Sequence, residues 1–360
     1  MGLRVERLSL VDWRSFSEHT LSLAPGMTVL VGPNAVGKTN TIEALQLLTA
    51  GWSFRRPRPR DLVRTGQETA RAEARLTGDG RVLDVACTVA EGRRSFVRNG
   101  KRVQAHELPG ALMSVLFTPD DLLLVKGSAS GRRDEVDAFA RQANGGYAKV
   151  LAAYLRAVEQ RNRLLKEDYP DPGLLDAWDA SVALGGATVL DARLRLFARL
   201  RDRMEEAYRE MAGGEELRCS YVSTLGEDVA ALTRDELVAR FGTALATRRN
   251  EDLRRQQTTV GPHRDDLHFS IGGRDARTFA SQGQQRSVAL AWKIAEMAVA
   301  EEVVGDRPLL LLDDVMSELD GSRREALGAL VKRGTQVVVT TTNLGYFSEA
   351  LLADATVINY

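Results

Sequence analysis

Apolar and polar residues change rhythm twice along the chain. Near the start, the mixed stretch at residues 3–11 and the apolar run at 27–31 are strand-like. Residues 69–103 alternate, and turn residues interrupt them at Gly78-Asp79-Gly80, Glu91-Gly92 and Asn99-Gly100. That pattern predicts antiparallel hairpins. From about residue 130 the period lengthens. Tyr147, Leu151, Tyr154, Leu155 and Val158 recur at helical spacing, as do Leu190, Leu194, Phe197, Met204, Tyr208 and Met211. Thr233 with Glu236 three residues later predicts a capping box opening another long helix. Beyond residue 260, strand and helix alternate to the end. The expected architecture is an α/β domain built from both ends of the chain, with an antiparallel β subdomain. Residues 1–125 and 258–360 supply it, and a helical arm is inserted over 126–257.

Composition narrows the class without choosing a function. The chain has 360 residues, 49 basic and 49 acidic, so net charge argues neither for nor against nucleic acid. No run approaches the ~20 apolar residues of a membrane-spanning helix. The start, MGLRVERLSL, carries charges where a signal peptide is apolar, so a cytoplasmic protein with no membrane partner is expected. Cys87 and Cys219 lie far apart and offer neither a disulfide framework nor a metal-binding CxxC.

The chemistry starts at residue 32. Gly32-Pro33-Asn34-Ala35-Val36-Gly37-Lys38-Thr39, followed by Asn40, fits GxxxxGK[ST] between a predicted strand and a predicted helix. In such a loop, backbone N–H groups and the helix N-terminus cradle phosphates. Lys38 would reach the β- and γ-phosphates of ATP, and the Thr39 hydroxyl would bind Mg²⁺. A second motif completes the site. Four leucines, Leu309 to Leu312, predict a buried parallel strand ending at Asp313 and Asp314. Carboxylates at that end of a parallel strand face the ligand edge of the sheet. Asp313 would hold Mg²⁺ through water, and Asp314 would polarise the attacking water.

Ser281-Gln282-Gly283-Gln284-Gln285 precedes an apolar helix and resembles the signature motif of ABC-type ATPases. Ser317-Glu318-Leu319-Asp320 resembles the D-loop of that class, and residues 336–342 form a last strand ending in threonines. By that resemblance the signature, with Ser281 acting in trans, contacts ATP held by a second copy. A two-fold homodimer then encloses two ATP molecules.

Longer stretches resemble the RecF family of bacterial recombination-mediator ATPases, relatives of the SMC proteins. They are Arg14-Ser15-Phe16, GPNAVGKTN at 32–40, Ser53-Phe54-Arg55 and Asp61-Leu62-Val63-Arg64. Thr118-Pro119-Asp120-Asp121-Leu122, Val125-Lys126-Gly127, Gly131-Arg132-Arg133, GPHRDDL at 261–267, SQGQQR and DDVMSELD continue the likeness. The resemblance implies an ATP-dependent dimer that binds double- and single-stranded DNA at gaps and junctions. It implies action with RecO and RecR to load RecA, hence replication maintenance and SOS induction. It also brings Arg14 near the nucleotide. Asp314 stands where many ABC ATPases have Glu, and threonines stand where transporters have His. Both predict slow hydrolysis, that of a timed clamp rather than a motor.

Two basic clusters are candidate DNA contacts: Arg55, Arg56, Arg58 and Arg60, and then Arg93, Arg94, Arg98, Lys101 and Arg102. Alternation on the second hairpin is expected to put several of its charges on one face. His263 is expected to serve the strand-to-loop connection rather than catalysis. A P-loop kinase is the rival from another class, and the signature and D-loop argue against it. Fused nuclease chemistry lacks an acidic cluster of its own. A partner-recruiting scaffold with an idle ATPase remains open.

Overall fold

The computed structural model describes residues 2–332 and 334–360. In chain order the elements are β1 (Arg4–Trp13), β2 (Phe16–Ser22), β3 (Met27–Val31), α1 (Lys38–Ala50), β4 (Ala70–Gly78), β5 (Arg81–Ala90), β6 (Arg93–Arg98), β7 (Lys101–Val103) and β8 (Ser114–Phe117). Then come α2 (Ala129–Ala143), α3 (Tyr147–Leu164), α4 (Pro172–Met211), β9 (Leu217–Val222), α5 (Arg234–Arg255), β10 (Asp266–Ile271), β11 (Arg274–Asp275) and α6 (Ala276–Phe279). The remainder is α7 (Gln282–Val304), β12 (Leu309–Asp313), α8 (Gly321–Lys332), β13 (Val337–Thr341), α9 (Glu349–Ala353) and β14 (Thr356–Asn359). None of the described helices is long and apolar enough to cross a membrane.

The chain divides into two compact units. The first runs to Leu123 and resumes over Glu210–Gly213 and Arg286–Tyr360. It holds a six-stranded antiparallel sheet, β2-β1-β4-β5-β6-β7, and a five-stranded parallel sheet, β14-β3-β13-β12-β8. The hairpins turn where the sequence places them, because Asp79-Gly80, Glu91-Gly92 and Asn99-Gly100 all take positive φ. Paired positive φ gives the turn whose twist suits two antiparallel strands. Helix α1 is buried on nearly every side, and Ile42, Ala44, Leu45 and Leu47 are fully buried in the core that also takes Leu8, Leu10, Ala72 and Val85. Such a helix has no solvent face and must lie inside the unit.

The second unit gathers Leu124–Arg209 and Gly214–Gln285. It is larger than the helical insertion expected over 126–257, and residues 258–285 fold with it. The cause is a strand hidden in the helical stretch. β9 pairs antiparallel with β10 along its whole length, Leu217 opposite Ile271 and Val222 opposite Asp266. Thr233 caps α5 as the sequence predicts. Its N–H donates to Glu236 Oε2 at 2.7 Å, and Glu236 N–H donates to the Thr233 hydroxyl at 3.4 Å. The helices are fastened by a buried cation: Arg161 is fully buried and pairs with Asp179 on α4 and Asp252 on α5. Removing one partner of such a group strands a charge out of water, at about 3–5 kcal/mol.

Candidate nucleotide site

The parallel sheet places β3 beside β13 and β13 beside β12, so the P-loop and the two acids leave the same sheet edge. Two backbone positions make the loop. Ala35 has φ 68° and Gly37 φ 113°, which turns successive N–H groups inward into an anion-binding nest. Only glycine fits the second position, because a Cβ there would come within 2.4 Å of the Phe16 ring. Lys38 is 6 % exposed, and its Nζ donates to the carbonyls of Gly32 and Pro33 at 2.7 Å each. The ammonium is thereby held across the mouth of the loop.

Thr39 donates its hydroxyl to Asp313 Oδ1 at 3.0 Å, and Thr340 donates to the same oxygen at 2.8 Å. Burial pushes the Asp313 carboxyl above its usual range, against the pull of those two hydrogen bonds. A buried carboxylate beside a hydroxyl is an oxygen donor set suited to a hard cation such as Mg²⁺, which takes one or two protein oxygens and completes its shell from phosphates and water. Thr340 has a second task. Its oxygen accepts from the Asp314 N–H at 2.9 Å. Asp314 has φ 53°, so the chain kinks at the second acid and turns that side chain off the line of β12. Left-handed backbone at a non-glycine residue is a cost that sites bear where aim matters. Thr340, one of the strand-end threonines expected in place of a histidine, thus holds both acids.

Around the P-loop helix the structure assembles motifs scattered through the sequence. Glu43, fully buried, accepts from Arg14 Nε at 2.8 Å, from Arg14 Nη2 at 2.7 Å and from Ser53 Oγ at 2.6 Å. Arg55 stands 3.6 Å from the same carboxylate and donates to Asn40 Oδ1 at 2.8 Å. Asn40 also donates to Ser15 Oγ at 3.0 Å. Arg64 donates to Asp12 at 3.0 Å, and Arg14 N–H to the Leu62 carbonyl at 2.8 Å. Arg14 is therefore bound to the P-loop helix through Glu43, and Arg55, although exposed, joins the same hub. Glu43 was not singled out in the sequence. The signal was a lone acid between Ile42 and Ala44 in an otherwise uncharged stretch of the helix beyond Lys38. Tyr360 was missed too: its hydroxyl lies 2.6 Å from Thr41 Oγ1 and 3.0 Å from His19 Nε2.

Ser281 and Gln284 cap α7 reciprocally. Ser281 N–H donates to Gln284 Oε1 at 2.8 Å, and Gln284 N–H to Ser281 Oγ at 3.2 Å. Ser281 and Gln282 are exposed, while Gly283 and Gln284 are partly covered. The result is a solvent-facing helix start carrying the positive end of the dipole. The D-loop is fastened to the same helix, where Arg286 Nη2 meets Glu318 Oε2 at 2.9 Å and Arg323 Nη2 donates to Ser287 Oγ at 2.8 Å.

The second basic cluster places several of its charges, though not all, on one side of the sheet. On β6, Phe96 turns into the core; Arg94 and Arg98 share its side of the sheet, and Lys101 lies opposite Arg98. Arg93 lies on the other side, as does Arg102, which is opposite Val97. The two basic clusters do meet, because Arg60 lies 3.3 Å from where a Cβ on Gly92 would stand. Arg58, Arg60, Arg93, Arg94, Lys101 and Arg102 make no ion pair among the described residues. Arg56 does have a partner.

In the second unit, the GRR and GPHRDD segments hold one another. Arg132 grips Asp266 with two nitrogens at 2.7 and 2.8 Å and also caps the Gly127 carbonyl at 2.8 Å. Arg133 donates to the Asp265 carbonyl at 2.7 Å. His263 Nδ1 lies 2.6 Å from the Tyr154 hydroxyl, and Nε2 lies 3.2 Å from the Thr258 carbonyl. A carbonyl only accepts, which assigns the proton to Nε2 and leaves Nδ1 accepting from Tyr154. Burial lowers the His263 pKa to about 4, so the ring is neutral and structural near pH 7. The unfolded ring takes a proton near pH 6.5 and the folded ring only near pH 4, so stability is full above 6.5 and falls between those values. The loss is on the order of 3 kcal/mol. His263→Gln should flatten that slope relative to the parent in urea titrations at pH 7, 5.5 and 4.5. Parallel slopes would mean the ring does not carry it.

Comparison with known proteins agrees with these features. A family model described as the RecF/RecN/SMC N terminal domain matches residues 4–358. A DNA replication and repair protein RecF from Symbiobacterium thermophilum is 40 % identical over 341 residues, covering 94 % of this chain and 91 % of its own length. Its counterpart from Thermosynechococcus vestitus is 39 % identical over 352 residues, covering 96 % and 92 %. A solved structure of the recombination mediator protein RecF-ATPrS in the RecFOR pathway superposes with a TM-score of 0.89 at 29 % identity, over 96 % of this chain and 94 % of that one. A Pyrococcus furiosus Smc head domain with an extended coiled coil gives 0.53 at 17 % identity, a likeness of fold alone.

Proposed function

The chain belongs to the RecF family, and from that membership we propose that it is an ATP-gated DNA clamp of recombinational repair. At the coarser level it is an ATP-binding recombination mediator of the RecFOR pathway. The finer reading is a homodimer, closed by two ATP molecules, that holds DNA at single-strand gaps and junctions. There it helps RecO and RecR load RecA, and SOS induction follows. The observation that carries the reading is Asp313, joined at once to Thr39 of the P-loop and Thr340 of the neighbouring strand. That arrangement binds nucleotide and registers its state.

The first unit acts as the ATPase head, and the second contributes the arm and the exposed start of α7. Lys38 and the N–H groups of residues 32–40 bind the β- and γ-phosphates. Thr39 and Asp313 would hold Mg²⁺, which would supply neutralisation of charge on the phosphate oxygens. Asp314 accepts the proton of the attacking water, and its short side chain makes that step slow. Ser281, Gln282, Gly283 and Gln284 engage the γ-phosphate bound by the second copy. ATP therefore stabilises the dimer by binding it better than the monomer, and hydrolysis removes that linkage. Arg58, Arg60, Arg93 and Arg94 lie about the approach of Arg60 to the turn at Gly92 and make no ion pair among the described residues, so they are the foremost candidates for sequence-independent phosphate contacts. Arg102 and Lys101 extend that set.

Ser281→Arg tests the trans role. A guanidinium at the helix start adds bulk and removes the cap, so monomer ATP affinity should stay within about threefold while the ATP-dependent dimer weakens at least about tenfold, roughly 1.4 kcal/mol. Sedimentation velocity with ATP checks it, and a dimer as tight as the parent's would refute the trans contact.

A further inference from the structure

A line of hydrogen bonds inside the second unit ends at Ser281. After α4 the chain passes through Gly213 and Gly214 with φ 64° and 96°, left-handed backbone that suits glycine, and turns back on itself. Glu215 is thereby returned to the helix it has just left. Its Oε2 accepts from the hydroxyl of Tyr208, a fully buried residue of α4, at 2.7 Å. The strand that follows, β9, pairs with β10, and Gly272 N–H donates to the Glu216 carbonyl at 2.9 Å. Glu215 Oε1 then accepts from Gln284 Nε2, at the start of α7, at 2.8 Å. The carboxylate is held from both sides.

The amide it grips is half of the Ser281 cap. Gln284 Oε1 accepts from Ser281 N–H, and Gln284 N–H donates to Ser281 Oγ. A carboxylate in that place would offer two equivalent oxygens, but an amide has one accepting end and one donating end. Turned over, it would set its NH₂ against the Ser281 N–H and open the cap. An ionised carboxylate only accepts, so Glu215 decides which end of the amide faces Ser281. Ser281 Oγ, with a lone pair committed to Gln284 N–H, keeps its own hydrogen for another acceptor, and the residue is exposed. The locked cap therefore presents a hydroxyl donor beside the positive end of the α7 dipole. A cap made for helix stability alone needs no third residue.

We propose that Glu215 is a positioning residue of the trans site: held by Tyr208, it orients the Gln284 amide and so aims the Ser281 hydroxyl at a phosphate of the ATP bound by a second copy. The proposal rests on the trans reading of Ser281 for its target, but the orienting of Gln284 within one chain stands apart from it.

Two measurements on the full chain test it. The first is amide hydrogen exchange over residues 281–285 without nucleotide. Glu215→Ala should speed exchange there at least about threefold, and Glu215→Gln, whose amide oxygen still accepts from Gln284, should restore it. The second is the dimer dissociation constant in ATP and Mg²⁺, by sedimentation, in a double-mutant cycle with Ser281→Ala. Each single variant should weaken the dimer at least about tenfold, because a two-fold dimer loses the contact twice. The double variant should be no more than about threefold weaker than the worse single, because Glu215 acts through Ser281. A merely structural glutamate would weaken the dimer as much in the Ser281→Ala background as in the parent. That additivity overturns the proposal, as does unchanged exchange in Glu215→Ala. Where Glu215→Ala does not fold, Tyr208→Phe takes its place, since it removes one anchor of the carboxylate and leaves the rest. Faster exchange and a weaker dimer are expected again, with no further weakening in the Ser281→Ala background. If exchange responds to Glu215 but Ser281→Ala dimerises as tightly as the parent, the orienting role holds and the trans reading fails. If Ser281→Ala weakens the dimer while Glu215→Ala changes neither exchange nor dimer, the trans reading stands and the proposal fails.

Discussion

Asp314→Asn leaves a chain that binds ATP, dimerises on it and fails to separate. The amide keeps the size and the backbone kink of the second acid, and the Asp314 N–H still donates to Thr340. Asp313, which shares its oxygen between Thr39 and Thr340, is untouched. Binding therefore survives. What disappears is the proton acceptor for the attacking water, a general-base contribution typically worth 10²–10⁴-fold. Single-turnover hydrolysis should fall at least about a hundredfold, while the ATP-bound dimer persists for hours on a sizing column. Turnover near the parent's rate would move the base to another residue. The same variant speaks to the scaffold reading. If repair in cells depends on release, trapping the dimer should impair it, and an unimpaired strain would favour a scaffold whose ATPase is idle.

Lys38→Met produces the opposite phenotype, a chain that stays monomeric because it no longer holds ATP. Met fills the volume of the aliphatic stem but lacks the ammonium that spans the loop between the carbonyls of Gly32 and Pro33. Losing charge-assisted hydrogen bonds to phosphate costs about 2–3 kcal/mol, so ATP affinity should fall roughly 30- to 150-fold. ATP-dependent dimerisation should fall with it, since the two are linked. Calorimetric titration with ATP, followed by sedimentation, checks both halves. Unchanged affinity would sink the P-loop assignment, and lost affinity with an intact dimer would sink the linkage.

The parts of this molecule legible in the sequence are those whose geometry is encoded locally. Asp79-Gly80, Glu91-Gly92 and Asn99-Gly100 all take positive φ, and the hairpins follow. The P-loop is a local signal as well, because Gly37 and Lys38 sit beside the strand and helix they serve. The Thr233–Glu236 cap closes within one turn. What escaped depends on partners far along the chain. Nothing near Glu43 announces that Arg14, Ser53 and Arg55 will converge on it. β9 reads as part of a helical stretch because the strand that pairs with it, β10, is remote, and so the sequence groups residues 258–285 with the ATPase domain while they fold with the second unit. On the basic hairpin the period of two is a local signal, and it sends Arg94, Arg98 and Lys101 to one face and Arg93 and Arg102 to the other. Glu215 looked like one more acid in a turn, and only the fold gives it Gln284.

The central claim is that ATP, and not ADP, makes this chain a dimer able to hold DNA. Sedimentation velocity of the full chain with labelled duplex DNA and Mg²⁺, in ADP and then in ATP, tests it most directly. The account predicts monomer off the DNA in ADP and a DNA-bound dimer in ATP. A chain that stays monomeric and off DNA in both nucleotides, or that binds DNA equally in both, would contradict it.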